Sequence, residues 1–185
     1  ALEQGVSLNW ILRDLGALKE RPRAPLLLMS YLNPLLSFGL ERLPAAARDA
    51  GVCGFIVPDL PDEEASDLRS ALAVEELALV QMTAPLTPAE RLARLCAGAD
   101  GFVYAVAMLG ATGGAAPISE DMLAYLDRVR AASKVPVCAG FGIRTREQLA
   151  RLAGHVDGVV IGSALVEALE NGEDPAEFLR QLRAG

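Results

Sequence analysis

Short, continuous apolar runs alternate along the whole chain with stretches whose apolar positions recur every three or four residues. The runs at residues 25–31, 54–57, 77–82, 101–106, 135–138 and 158–161 have no alternating polar face. Strands of that kind belong to a parallel sheet buried on both sides. The first periodic stretch, residues 7–20, opens with Ser7 as a capping residue and sets Leu8, Ile11, Leu12, Leu15 and Leu18 on one face, with Trp10 off the stripe as a packing residue. Further helices are expected at about 39–50, with Pro44 in its first turn or kinking it, and to about residue 72 behind the acidic Asp62, Glu63 and Glu64. Others follow at 89–97, led by Thr87 as N-cap and Pro88, at 119–132 behind Ser119, at 146–153 with Thr145 and Gln148 as a capping box, at 164–170, and at 175–183.

Strand starts near residues 26, 55, 77, 102, 135 and 159 recur without any repeated residue motif. The rhythm is that of successive βα units, which right-handed crossovers wind into either an open sheet or a closed barrel. No G-x-G-x-x-G follows the first strand, and the glycine-bearing turns lie at the last strands instead, which favours a phosphate-binding barrel over a dinucleotide fold. The expected fold is therefore α/β, of the (β/α)8 TIM-barrel family. It is read here as an incomplete barrel of about six parallel strands in a single domain, residues 1–185.

Two turns stand out. Gly140 and Gly142 follow one strand, and Gly162 and Ser163 follow the next, while residues 110–114 form a third glycine-rich turn after the preceding strand. A glycine lets backbone N–H groups approach an anion, and the helix that follows directs its positive end to the same point. The turns at 140–143 and 162–164, joined by that at 110–114, thus read as a phosphate site, to which Ser163 can donate through both its N–H and its hydroxyl. Residues 107–117, poor in anchoring side chains, read as a lid.

Composition narrows the function further. A net charge of −7, spread without a basic stripe, argues against nucleic acid, and no apolar run approaches the roughly 20 residues of a membrane span. Cys53, Cys96 and Cys138 read as small core residues in a reducing, cytoplasmic compartment. With His155 the only histidine, a histidine-based triad or a metal site is not expected, and His155 reads as a surface turn residue.

Six segments (residues 28–34, 56–61, 101–104, 111–113, 140–143 and 157–164) stand in the order and spacing of the tryptophan synthase α subunit, a family that the chain resembles over essentially its whole length. The resemblance implies retro-aldol cleavage of indole-3-glycerol phosphate to indole and glyceraldehyde 3-phosphate, in tryptophan biosynthesis. It also implies no cofactor in this chain and a pyridoxal-phosphate-dependent β subunit as partner in a heterotetramer. Carried over by motif, Gly113, Gly142, Gly162 and Ser163 bind phosphate, and Tyr31, Phe141 and Thr112 line the substrate pocket. Tyr104 steadies the catalytic glutamate, and Asn33, Asp59 and Pro61 face the β subunit.

The family's catalytic glutamate and aspartate stand at and just after its second strand, and this sequence has no segment matching them; an N-terminally truncated barrel is expected, with pairing to another copy or a rearranged six-strand sheet as alternatives. Ala115 also replaces an arginine common beside the threonine-glycine pair. Asp59 is the one carboxylate at a predicted C-terminal strand end, and it reads as a turn residue. Turnover by these residues alone is therefore not expected. The competing functions are a non-catalytic module that binds phosphate and the β subunit, or another sugar-phosphate barrel isomerase or epimerase.

Overall fold

The structure, a computed structural model, describes residues 5–107, 118–140 and 142–183. Two compact units make it up, Ala1–Val80 and Gln81–Gly185.

In the first unit, strands β1 (Leu26–Met29), β2 (Val52–Ile56) and β3 (Ala78–Leu79) pair in parallel in the order β1-β2-β3. Helices α1 (Leu8–Gly16), α2 (Leu32–Phe38), α3 (Leu43–Asp49) and α4 (Ser66–Ala73) accompany them. Leu12, Leu35, Phe38, Leu43, Ala47, Leu68 and Leu72 from those helices share one apolar core with Val52, Phe55 and Leu79. Ser7 caps α1 as expected, its hydroxyl accepting from Trp10 N at 3.2 Å. The helix nevertheless stops at Gly16, short of Leu18, which is 45% exposed; Trp10, off the stripe, is 44% exposed. Pro44 stands in the first turn of α3, where its missing N–H costs nothing.

Helix α2 was not expected from the apolar pattern. It has no side-chain cap of its own; the Leu32 N–H donates instead to both carboxylate oxygens of Asp59, at 2.9 and 3.2 Å. A carboxylate there satisfies an orphan amide and complements the positive helix end. Cys53 also departs from expectation: it is exposed, while Cys96 is buried and Cys138 half-buried.

The second unit carries β4 (Gln81–Thr83), β5 (Val103–Val106), β6 (Val137–Gly140) and β7 (Gly158–Val160), parallel and in sequence order. The run at 77–82, read as one strand, is divided at Val80: its first part pairs with β2 and its second with β5. Helices α5 (Ala89–Ala97), α6 (Glu120–Ala132), α7 (Arg146–Leu152), α8 (Ser163–Glu170) and α9 (Pro175–Arg183) complete the unit. Leu92, Cys96, Met122, Leu126, Val129 and Leu152 pack with Val103, Ala105, Val137 and Ala139, which alternation places on one sheet face. Thr83, buried beneath α6, bonds the Tyr125 hydroxyl at 2.7 Å, so neither polar group is buried unpaired.

Ser119 caps α6 by accepting from Met122 N, and the Thr145–Gln148 capping box forms on α7. Thr87 does not cap α5. Pro88 holds the cap position, and the Thr87 hydroxyl accepts from Ala84 N instead, at 3.0 Å. Among the described residues no helix is long and apolar enough to cross a membrane.

The dependence of α2 on a distant carboxylate is open to measurement. Asp59→Ala should cost about 1 kcal/mol in urea denaturation and speed hydrogen exchange at Leu32, whereas Asp59→Asn, which keeps an acceptor oxygen, should cost less. Equal exchange in all three proteins would show that Asp59 does not hold the helix.

Candidate active site

The register of the second unit's sheet assembles the site. Val106, Gly140 and Val160, the last residues of β5, β6 and β7, are paired neighbours in that order. Adjacent strands lie about 4.8 Å apart, so the chain leaves all three at one edge, side by side. Gly142 follows the end of β6 by two residues, and Gly162 follows the end of β7 by two.

Both glycines and Ser163 are exposed. Gly142 has φ +79°, a conformation that a side chain would strain. A Cβ built on Gly162 would meet nothing within 4 Å, so the space before it is open. Helix α8 begins at Ser163 with Gly162 as its N-cap; the Gly162 carbonyl accepts from Leu165 N and Val166 N, which leaves the N–H groups of Ser163 and Ala164 as the first-turn donors directed out of the helix end. The edge therefore offers two exposed glycine turns and a positive helix end, the features that suit an anion. Thr112, Gly113 and Phe141, together with the rest of the expected lid at 108–117, lie outside the described residues.

Gly140 has a different task from Gly142. A methyl there would sit 2.0 Å from the Tyr104 hydroxyl oxygen and 2.3 and 2.6 Å from the ring's Cζ and Cε1. Gly140 thus makes room for Tyr104, whose ring starts opposite Cys138 and reaches along the strand to the edge where the turns open. Tyr104 is 3% exposed, and burial, with a lesser contribution from Cys138, pushes its phenol up to about 12. It is a hydrogen-bond donor at neutral pH and not a base.

The segment after β6 is tied on two sides. Gln148, buried in α7, accepts from Arg144 N at 2.8 Å and Thr145 N at 3.1 Å. Arg144 in turn forms a bidentate pair with Glu167 of α8, at 2.5 and 2.8 Å. The hydrogen-bonded guanidinium holds Glu167 below the usual carboxylate range, and Glu167 raises Arg144. Nothing in the sequence pattern singled this pair out, because its members are 23 residues apart.

Tyr31, Asn33, Asp59 and Pro61 belong to the first unit, at the ends of β1 and β2. Tyr31, 67% exposed, is the N-cap of α2, and Asn33 lies in that helix's first turn beside the carboxylate of Asp59. The two loops expected to face a partner are thus bonded to one another. His155 is a turn residue whose Nδ1 lies 2.7 Å from Asp127. Among the described residues no three His, Cys, Asp or Glu side chains are grouped to hold a metal.

Parallel β/α units whose glycine turns gather at the carboxyl edge define the (β/α)8-barrel class of enzymes. A model of the family described as tryptophan synthase alpha chain matches residues 1–184, and the chain belongs to that family. The alpha chain of Nitratidesulfovibrio vulgaris strain Hildenborough is 43% identical over 180 residues, 97% of this chain and 70% of that protein. That of Solidesulfovibrio magneticus is 45% identical over 182 residues, 98% and 71%. Among solved structures, the Pyrococcus furiosus tryptophan synthase α2β2 complex includes a chain matched at a TM-score of 0.88 and 32% identity, covering 100% of this chain and 77% of that one. Tryptophan synthase subunit alpha of Campylobacter jejuni matches at 0.83 and 30%, covering 98% and 72%. The family is one of lyases that act in tryptophan biosynthesis.

The Tyr104–Gly140 contact yields two expectations. Gly140→Ala should cost about 1–3 kcal/mol, and Tyr104→Phe should not rescue it, because the ring carbons overlap as well; a fully stable Gly140→Ala protein in urea denaturation would refute the contact. Tyr125 is likewise pushed up to about 12, chiefly by burial, so ultraviolet titration should find Tyr104 and Tyr125 still protonated at about pH 11. Phenols raised in the folded state stabilise it fully below about pH 10, and that contribution is lost as pH rises through about 12.

Proposed function

We propose that this chain supplies the phosphate-binding half of a tryptophan synthase α active site for indole-3-glycerol phosphate, and the loops that meet a β subunit. The observation that carries this reading is the register placing Val106, Gly140 and Val160 abreast, with Gly142, Gly162 and Ser163 just beyond them. The turns at Gly142 and Gly162 and the Ser163 hydroxyl hold the phosphate.

Cleavage of the substrate needs a proton delivered to indole C3 and another removed from the glycerol hydroxyl, each transfer worth roughly 10²–10⁴-fold. Tyr104, held protonated by burial, steadies a carboxylate and does not replace one. Asp59 is engaged with the Leu32 amide. Neither residue therefore serves as the pair of carboxylates that moves these protons.

Asn33, Asp59 and Pro61 form the surface for the β subunit, in keeping with the α2β2 assembly of the Pyrococcus furiosus relative. Pyridoxal phosphate belongs to that partner, and this chain works in the cytoplasm.

Mixing the chain with a tryptophan synthase β subunit and indole-3-glycerol phosphate tests the reading. Co-elution with the β subunit, saturable binding of glyceraldehyde 3-phosphate, and indole release no faster than the uncatalysed background are expected. Rapid indole release would contradict the assignment of the proton-moving groups, and failure to bind both the partner and the triose phosphate would contradict the reading as a whole.

A further inference from the structure

Helix α8 carries Glu167 one turn after Ser163, and residues four apart share a helix face. The face that Arg144 grips is therefore the face bearing the Ser163 hydroxyl, and it is turned toward the segment that contains Gly142. That segment is itself fixed to α7 through Gln148. We propose that the Arg144–Glu167 pair is a positioning clamp for the phosphate group: it holds the first turn of α8 at a set distance from the Gly142 turn, so that both sets of donors reach one anion. The inference rests on the phosphate reading given above and adds to it the residues that set the spacing.

Geometry favours positioning over a chance surface pair. A two-pronged guanidinium–carboxylate contact fixes orientation as well as distance, which a lysine ammonium does not. Arg144 is also drawn in, its side chain 25% exposed, and its own N–H is bound to buried Gln148. Both ends of the bridge thus start from anchored backbone.

Charge alone predicts the opposite sign from positioning, which makes the clamp testable. Glu167 is a negative group one turn from the anion site, so on charge alone its neutralisation tightens phosphate binding. If the pair acts by position, the same change weakens it.

The test is calorimetric titration of glyceraldehyde 3-phosphate into the 185-residue protein and into Arg144→Lys, Arg144→Ala, Glu167→Gln and the swapped Arg144→Glu/Glu167→Arg double variant, with Tm measured for each. Exposed pairs contribute little to folding, so Tm should stay within a few degrees. Kd should rise roughly three- to tenfold in Arg144→Lys and in Glu167→Gln, rise further in Arg144→Ala, and recover in the swap. Tighter binding by Glu167→Gln, or wild-type affinity in Arg144→Lys, overturns the clamp and leaves the phosphate reading standing. No binding by the wild-type chain overturns that reading and the clamp with it.

Discussion

Backbone hydrogen bonds between β5, β6 and β7 hold Val106, Gly140 and Val160 abreast. Because the strands are parallel, each must leave the sheet in the same direction, and the turns after them are neighbours by necessity. A one-residue slip in β6 would carry Tyr104 away from Gly140 and exchange the faces of Val137 and Ala139, which are fully buried against the helices. Core packing thus enforces the alignment that the site requires.

The same alignment explains why two glycines separated by one residue behave so differently. Gly140 is still in the strand and is needed for want of volume, since the Tyr104 ring occupies the place of its side chain. Gly142 has left the strand and is needed for its positive φ in an exposed turn. Tyr104 gains from the first: burial keeps its phenol protonated while the missing Cβ lets the hydroxyl reach the working edge. An exposed glycine turn and a buried hydrogen-bond donor therefore arise on adjacent strands of one unit.

Features set by local chemistry were legible in the chain. Ser7, Ser119 and the Thr145–Gln148 box each cap a helix within three residues of themselves, and the apolar runs pair as parallel strands. Features set across the chain were not. Helix α2 takes its cap from Asp59, 27 residues away, so Asn33 and Pro34 look like the end of a strand. Thr87 beside Pro88 resembles a cap, but its hydroxyl turns back to Ala84. Cys53 lies in an apolar run yet is exposed. At the site, the motifs marked Gly142, Gly162, Ser163 and Tyr104, but no local rule links Arg144 to Glu167 or gives Gly140 to the tyrosine ring. Those contacts need the sheet first.

Amide chemical shifts recorded during titration with inorganic phosphate test the convergence of the turns most directly. Gly142, Gly162 and Ser163 should shift together along one saturation curve, while the amides of Gly154 and Gly172, in turns elsewhere in the same unit, stay fixed. Shifts that saturate at different concentrations, or a response confined to one of the two turns, would contradict the account.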